Sequence, residues 1–435
     1  MVVRRKTAPF VCWVGILSVC VLGIVHTEAA TIRVPDDHST IHEAVDAANA
    51  GDIIIVRDGT YTENVDVKRG HITIRSENGP SSTVVRASNS NDPAFEVTGD
   101  FVDISGFTVK GAFSYIVSRQ LTPEAVLVRI GGICLKECEY CSIFNNVCSD
   151  NSIGIQLDKA GRNLIYENNC SDNEVTGIYL AWHCRRNTVR RNTCVSNGSS
   201  GIYLEASKDN KVTGNICSGN RTGICLYSPQ SSFVNLTLDN VVVGNTLSNN
   251  EQGINLYVSR ENTVKENEIS NNQYGIVLNW SENDTIYRNN FVTNGRDIKF
   301  GTFGYVPSPA LWSSPVEMSY TYKGNEYTNY LGNYWAAYAG SDSDGDGIGD
   351  SAYNIDSDKD NYPLKEPFEN YIVVMAGDLD ADGDVDFADY AVLTNHWMNQ
   401  NCSDPHRCDG ADLDTSGSVD LRDLAEFASN WPVEE

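Results

Sequence analysis

Positive charge is scarce in this sequence. Lysine and arginine contribute 32 of the 435 residues, whereas aspartate and glutamate contribute 58, so the net charge at pH 7 is −26. Phosphate backbones are bound chiefly by cationic side chains, and nucleic acid is therefore excluded as a ligand. Much of the negative charge is local, since the residues from Asp342 onward include 24 acidic and 4 basic side chains. There the acids recur at two-residue intervals among glycines, which favours metal binding over a merely solvating tail.

Long apolar runs are also lacking beyond the N-terminus. A membrane-spanning helix needs about 18 apolar residues, and no such stretch follows residue 30. The first 30 residues have the order of a signal peptide, with a basic start at Arg4, an apolar run over Pro9–Val25 and the small residues Ala29 and Ala30. We predict that residues 1–30 are a signal peptide and that the mature chain has no membrane span. The protein is then secreted, extracellular or at the cell surface, with a periplasmic location left open.

The centre of the sequence repeats a short motif. Gly-Ile-x-Leu occurs seven times at intervals of 22 to 30 residues, beginning at Gly132, Gly154, Gly177, Gly201, Gly223, Gly253 and Gly275. Two further apolar segments run in step with it, one of which follows an asparagine, as in Asn168-Asn169-Cys170. Three short strands per repeat, separated by Gly and Asn, predict an all-β fold, a parallel β-helix over residues 31–330. Parallel crossovers are nearly always right-handed, so the β-helix should be right-handed.

A short helix is predicted before the first coil. Thr40–Ala48 has helical spacing of its apolar residues, and Ser39 is the expected N-cap. Such a helix would cover the apolar core at the open N-terminal end of the coils.

One outer face of the predicted β-helix carries aromatic and charged side chains. Because Ile and Leu of the Gly-Ile-x-Leu strands take the inward positions, the residue between them points outward. The candidate polysaccharide-binding residues are Tyr179, Tyr203, Trp182 and Arg185. The candidate acid or base groups for catalysis are Asp158, Glu205 and His183.

Asp158 and Glu205 lie two coils apart, which is roughly 9 to 10 Å along the axis from the spacing of strands. This separation is near the upper limit for the carboxylate pair of an inverting glycosidase. The alternative interpretation is that these residues are ordinary solvated side chains of the turns.

Two acidic loops near the C-terminus have the ligand spacing of EF-hand calcium loops, with oxygen ligands at positions 1, 3, 5, 9 and 12 and glycine at position 6. The ligands of the first loop are Asp378, Asp380, Asp382, Asp386 and Asp389. Those of the second loop are Asp412, Asp414, Ser416, Asp420 and Asp423, each 34 residues further on. The sequence therefore predicts a duplicated calcium-binding module over residues 371–435.

A third acidic loop lies in residues 331–370, which we interpret as a closing segment. Its predicted calcium ligands are Asp342, Asp344, Asp346 and Asp350. Position 12 holds Tyr353, so we expect Asp356 or Asp358 to supply the missing ligand.

Four cysteines, Cys148, Cys170, Cys194 and Cys217, occupy one repeat position. Stacked strands lie about 4.8 Å apart, further than the Cβ atoms of a disulfide, so we predict a ladder of buried thiols. Cys402 and Cys408 flank a loop between the calcium repeats, and the sequence leaves a disulfide and two free thiols as equal alternatives.

The sequence resembles known families over most of its length. Thr40–Ala48 and the strand after it are similar to the opening of pectin-lyase-like proteins. Gly332–Trp335, Asp342–Asp350 and Asp360–Leu364 resemble the closing segment of the NosD β-helix family, and that resemblance covers residues 31 to about 370. The duplicated loop and helix resembles a type I dockerin.

These resemblances imply a secreted calcium-binding protein that attaches to a cohesin-like or cell-surface partner. The leading hypothesis adds binding of extracellular polysaccharide, and cleavage by a hydrolase or lyase reaction if the protein is an enzyme. One alternative is a non-enzymatic surface or scaffold protein held together by calcium. Another is a NosD-like periplasmic copper-maturation factor, although copper sites use His, Met and Cys, and no His-x-His pair is present.

Overall fold

The computed structural model describes residues 29–113, 130–229, 237–301, 310–356, 358–373, 377–379, 385, 387–402, 408 and 410–431. The predicted signal peptide lies outside these residues except for its last two positions. Three predicted ligands of the first calcium loop, Asp380, Asp382 and Asp386, also lie outside them. No helix in the described ranges is long and apolar enough to cross a membrane.

The body of the chain is a parallel β-helix, as predicted, in which each coil adds a strand to each of three sheets. Sheet 1 contains the Gly-Ile-x-Leu strands. In order along the chain its strands are Val65–Val67, Phe95–Val97, Gly131–Lys136, Ile153–Asp158, Thr176–Ala181, Ser200–Glu205, Thr222–Tyr227, Gln252–Tyr257, Tyr274–Asn279 and Arg296–Phe300.

Sheets 2 and 3 follow sheet 1 within each coil. Sheet 2 consists of Thr31–Val34, Ile53–Val56, Ile72–Ser76, Val102–Ser105, Ser142–Phe144, Leu164–Tyr166, Thr188–Arg190, Lys211–Thr213, Val241–Val243, Thr263–Lys265 and Thr285–Tyr287. Sheet 3 begins with Gly59–Thr62, Thr83–Arg86, Thr108–Lys110 and Val147–Cys148. Bridges through Asn169 connect these to Thr193–Val195, Ile216–Ser218, Thr246–Ser248, Glu268–Ser270, Asn290–Val292 and Tyr334–Trp335.

The core follows from the alternation of side chains along each strand. Ile178 pairs with Ile202 and Leu180 with Leu204, and all four side chains are fully buried. The same positions hold Ile or Leu in the neighbouring coils, so one apolar column runs through the stack.

Helix α1 (Ile41–Ala47) packs at the N-terminal end, as predicted. Its apolar residues Ile41, Ala44 and Val45 are buried against the first coils. The N-cap is Thr40, whose hydroxyl accepts a hydrogen bond from the backbone N–H of Glu43, and not the predicted Ser39. Ser39 instead donates from its hydroxyl to the Glu43 carboxylate at 2.8 Å.

The C-terminal end of the coils is covered by the closing segment. Trp335 stacks on Phe291 of the last coil with ring centroids 4.3 Å apart, and Tyr353 covers its other side at 4.6 Å. Beyond it lie the antiparallel strands Met318–Tyr322, Asn325–Asn329 and Tyr371–Val373, the hairpin Tyr353–Ile355 and Asp358–Asp360, and the 3-10 helix Phe368–Asn370. The C-terminal module contributes helices α2 (Phe387–Asn395) and α3 (Leu421–Asn430), and a disulfide joins Cys402 to Cys408.

Asparagine ladders run along all three bends of the coil. In each, the backbone N–H and the side-chain amide of one asparagine donate to Oδ1 of the asparagine in the next coil, as Asn187 does to Asn210 at 3.0 Å. The same amide also donates to a backbone carbonyl, here Ala160 at 2.9 Å. The ladders thereby satisfy buried backbone groups at bends where no strand pairing can do so.

The ladders begin at Asn146, Asn151 and Asn163, and their members then recur once per coil. The bend from sheet 1 to sheet 2 holds Asn163, Asn187, Asn210, Asn240 and Asn262. The bend from sheet 2 to sheet 3 holds Asn146, Asn168, Asn192, Asn215, Asn245, Asn267, Asn289 and Asn333. The bend back to sheet 1 holds Asn151, Asn173, Asn197, Asn220, Asn250, Asn272 and Asn294.

Each ladder ends on an aspartate. Asp284 accepts both amides of Asn262 at 3.0 Å, Asp297 accepts the side-chain amide of Asn294 at 3.0 Å, and Asp360 accepts the backbone N–H of Asn333 at 2.8 Å. Burial raises the pKa of Asp284 to about 7 and that of Asp360 to about 6. Oδ2 of Asp284 is buried without a hydrogen-bond partner among the described residues.

We predict that Asp284→Asn stabilises the protein at neutral pH. The folded-state pKa of about 7 lies above the ordinary value of 3.8, so the native state keeps a proton that the unfolded chain releases as pH rises from about 4 to 7. The free energy of unfolding therefore falls as the pH rises from about 4 to 7. Above pH 7 the asparagine should restore on the order of 2 kcal/mol of it. Thermal melts of both proteins between pH 4 and 8 measure this difference, and parallel curves over that range would contradict it.

The four stacked cysteines are free and fully buried, and burial raises the pKa of the Cys170 thiol well above its usual range. We expect none of the cysteines in the β-helix to react with a thiol reagent in the native protein, because all nine described there are buried and the reagent cannot reach them. All should react after denaturation. Detection by mass spectrometry of a Cys170–Cys194 disulfide in the native protein would overturn this prediction.

Candidate functional site

The outer face of sheet 1 carries a continuous row of aromatic side chains. Tyr179 pairs in register with Tyr203, as predicted, and their ring centroids are 5.3 Å apart. Tyr203 contacts Tyr227 at 6.0 Å, and Tyr227 contacts Tyr257 at 5.1 Å. Trp280 extends the row at 5.8 Å from Tyr257, so it crosses five consecutive coils.

The binding residues chosen from the sequence include Tyr179 and Tyr203 but leave out the second half of this row. Tyr227 and Tyr257 occupy the final position of their strands, two residues beyond the outward position of Tyr203, and they pair with each other. The signal was present as Leu-Tyr at the end of two consecutive Gly-Ile-x-Leu motifs. Trp280 follows its strand directly and is 38% exposed.

Tyr179 differs from expectation in its exposure. It points away from the main core, but packing against Ile153, Ala181 and Tyr203 leaves it only 7% exposed. Its hydroxyl donates a hydrogen bond to the carboxylate of Glu205. The accessible part of the row therefore begins at Tyr203, which is half-buried, and extends toward Trp280.

The predicted acid and base candidates share this part of the solenoid. Asp158 pairs with Ala181, which pairs with Glu205, so the two carboxylates lie on one row with a single coil between them. Both are half-buried, whereas Trp182 and His183 are exposed in the bend that follows. Arg185 is not brought to the tyrosine row, since its guanidinium lies 3.5 Å from the carboxylate of Glu139.

The second calcium loop gathers three of its predicted ligands. One carboxylate oxygen from each of Asp412, Asp414 and Asp423 lies within 4.8 Å of the others. Asp412 is 2% exposed, and its Oδ1 is buried without a hydrogen-bond partner among the described residues. A buried carboxylate oxygen without a partner is costly unless a cation binds it, so these residues fit a calcium ion.

The rest of this loop is arranged by hydrogen bonds. Gly417 at position 6 has φ of 90°, a left-handed conformation that favours glycine, and its N–H donates to Oδ2 of Asp412 at 2.9 Å. Asp420 is the N-cap of α3 and forms a capping box with Asp423. Ser416 donates its hydroxyl to the backbone carbonyl of Ser418. In the first loop, Asp389 is fully buried and accepts the N–H of Leu379 at 2.6 Å.

The third loop matches its prediction in part. Carboxylate oxygens of Asp342, Asp344 and Asp346 form the other acidic group with mutual distances within 4.8 Å. Asp350 is instead hydrogen-bonded to Ser343, with the hydroxyl donating at 2.7 Å. Asp356 pairs with Arg296, and Asp358 accepts a hydrogen bond from the indole of Trp312 at 2.6 Å. Neither carboxylate belongs to the group of Asp342, Asp344 and Asp346, and a further ligand from either of them stays a prediction.

The family model described as "Periplasmic copper-binding protein (NosD)" matches residues 46–240 and 182–340, which together span most of the solenoid. The chain belongs to the NosD family.

A copper site of the kind the family description implies does not fit the residues described here. Copper is bound by His, Met and Cys, yet both groups of closely spaced ligand atoms in the described ranges consist of aspartates. The stacked cysteines of this NosD-family chain are sealed in the core, where they are 0% exposed.

The C-terminal module of the chain is also assigned by comparison. Residues 376–428 match the model of the dockerin type I domain, which confirms the predicted resemblance. No curated protein matches the chain.

Several solved structures are similar to this NosD-family chain. The A-module of the mannuronan C-5 epimerase AlgE4 of Azotobacter vinelandii has 15% identity and a TM-score of 0.43, over 57% of this chain and 71% of that one. The Dettilon tailspike protein gp208 has 17% identity and a TM-score of 0.47, over 64% and 65%. Pectate lyase Pel9A has 15% identity and a TM-score of 0.42, over 63% and 79%. The chain thus spans just under two thirds of the tailspike protein.

We predict that calcium stabilises the dockerin domain through Asp412 and Asp414. A ligand that binds only the folded form stabilises it by about 2.7 kcal/mol at a concentration of 100 times its Kd. In calorimetry of the full chain, chelation should lower the melting temperature of this domain, and Asp412→Asn with Asp414→Asn should reduce that response. Glu326→Gln, which removes an exposed carboxylate outside the loops, serves as the control. An unchanged calcium response in the double variant would rule out this ligand set.

Proposed function

We propose that this chain is a secreted, calcium-binding β-helix protein that binds polysaccharide along sheet 1 and is attached to a cohesin-type partner by its dockerin domain. The observation that carries the first part is the row of aromatic side chains from Tyr203 to Trp280. The match to the dockerin family supports attachment to a partner, and the buried Oδ1 of Asp412 in the second loop supports calcium binding.

The aromatic row suits a polymer better than a small ligand. Its members recur once per coil along the axis of the solenoid, so equivalent contacts are offered at regular steps. Tyrosine and tryptophan combine an apolar ring with a hydrogen-bonding group, which matches the C–H and hydroxyl groups of a sugar chain. Rings exposed in contiguous rows on a protein surface commonly mark a binding site.

The geometry favours binding over cleavage. The hydroxyl of Tyr179 donates a hydrogen bond to the carboxylate of Glu205, so this carboxylate is already engaged by the protein. Asp158 and Glu205 on their shared row remain the proposed acid and base if cleavage occurs. Glu205→Gln should then abolish product formation and leave binding intact.

We propose four segments for the chain. They are a signal peptide over 1–30, the solenoid over 31–330, the closing segment over 331–370 and the dockerin domain over 371–435. The closing segment also adds the strand Tyr334–Trp335 to sheet 3, so it and the solenoid should fold as one unit.

We predict that replacing Tyr227 and Trp280 with alanine weakens polysaccharide binding. Loss of two accessible rings should lower the affinity by about tenfold or more, while the melting temperature changes little because neither side chain lies in the main core. Binding is measured by affinity electrophoresis against soluble polysaccharides of several classes.

Tyr330→Ala, which removes a half-buried ring that belongs to neither sheet 1 nor sheet 2, is the control. Undiminished binding by the Tyr227 and Trp280 variant to a polysaccharide that the unmodified protein binds would move the site away from sheet 1.

A further inference from the structure

A second aromatic surface lies on the bend that leads from sheet 1 into sheet 2. His71, Phe101 and Tyr140 stack there in successive coils, with ring centroids 4.5 and 4.8 Å apart. The guanidinium carbon of Arg162 lies 5.7 Å from the centroid of Tyr140 and ends the row. Phe101 and Tyr140 are 44% and 47% exposed.

A parallel row occupies the outer face of sheet 2 itself. Phe144 pairs with Tyr166, and Tyr166 pairs with Arg190 in the next coil. The two rings stack at 4.8 Å, and the Arg190 guanidinium lies 5.2 Å from the Tyr166 centroid. Both rows therefore run in the same direction and end on arginine. We call Tyr140, Phe144, Arg162, Tyr166 and Arg190 the arginine–ring surface.

The stacking geometry decides which part of each ring meets solvent. Interplanar angles of 10°, 8° and 9° mean that the rings cover one another's faces and present their edges outward. The edge of an aromatic ring carries positive partial charge and its face negative. A neutral sugar has few free faces to pack on here, whereas an anionic group is attracted to both the ring edges and the guanidinium groups.

The arginines of this region are weakly neutralised. Arg162 and Arg185 share a single carboxylate, that of Glu139, at 2.8 and 3.5 Å. Within the described ranges no carboxylate forms an ion pair with Arg190 or Arg191. Burial and the charges of Glu167 and Asp103 raise the pKa of Tyr166, so these two carboxylates lie nearby. Arg185, Arg186, Arg190 and Arg191 fall within seven residues of sequence that include no carboxylate, and this local concentration of positive charge in a chain of net charge −26 favours an anionic ligand.

We propose that the arginine–ring surface binds an acidic polysaccharide, carboxylated or sulfated. The proposal rests on the proposed function, since it names the class of polysaccharide that the solenoid takes. Guanidinium groups form paired, charge-assisted hydrogen bonds with carboxylate and sulfate oxygens. Their repetition on successive coils favours a polymer with anionic groups at regular intervals over a single small anion.

The test uses the full-length chain and pairs of polymers that differ in charge. Affinity electrophoresis compares polygalacturonate with its methyl ester, dextran sulfate with dextran, and carboxymethyl cellulose with hydroxyethyl cellulose. We expect at least one acidic polymer to retard the protein while its neutral counterpart does not. Arg162→Gln with Arg190→Gln should weaken that binding by about tenfold or more, as expected for the loss of two charge-assisted bonds.

Arg221→Gln with Arg296→Gln is the matched control, because it removes the same charge from arginines that pair with Glu251 and Asp356 elsewhere. Equal binding of acidic and neutral polymers, or equal losses in the two double variants, would overturn the proposal. If the Tyr227 and Trp280 variant still loses binding in that case, polysaccharide binding along sheet 1 stands and the acidic class alone fails. Failure of every polymer to bind would overturn both the proposed polysaccharide binding along sheet 1 and the acidic class proposed for the arginine–ring surface.

Discussion

The hydrogen bonds of the asparagine ladders are the interaction on which this fold depends. A parallel β-helix pairs its strands well, but every coil turns three bends whose amides and carbonyls cannot join a sheet. At each bend between residues 163 and 262 one asparagine contacts the coil before it and the coil after it, as Asn187 does with Ala160 and Asn210. The amide groups are buried, so the loss of one would leave several polar groups without partners at once. The regular spacing of the outer side chains, and hence both aromatic rows, follows from this stacking.

The sequence predicts the β-helix well because the same repeated residues determine both the register of the strands and the composition of the core. Ile and Leu in Gly-Ile-x-Leu must point inward, and this fixes Tyr179 beside Tyr203 without knowledge of any distant contact. Trp280 was missed because it lies beyond the repeated motif, at a bend position that holds unrelated side chains such as Lys159, Ala206 and Val258 in other coils. The burial of Tyr179 depends on the packing of Ile153 and Ala181 outside the core, which periodicity does not encode. Arg185 was misplaced because its partner Glu139 is 46 residues away in sequence.

In the acidic loops, too, the sequence predicts local geometry but not contacts with the rest of the structure. Spacing places Asp412, Asp414 and Asp423 together, since a twelve-residue loop determines its own geometry. In the closing segment the loop is part of a larger structure, and Asp350, Asp356 and Asp358 find partners there that the spacing does not reveal. Local motifs therefore predict which side chains can bind a metal ion, and tertiary contacts decide which of these side chains come together.

The three aspartates at the ends of the ladders, together with helix α1 at the opposite end, bear on solubility. A stack of coils is open to growth, because an uncovered final coil offers free strand edges and unpaired amides to another molecule. Asp284, Asp297 and Asp360 take up the last amides of each ladder without offering a new amide in return. Helix α1 blocks the first coil with a surface that no strand can extend. The molecule is thereby kept from joining end to end into fibrils, although its interior is built on the same stacking that makes fibrils stable.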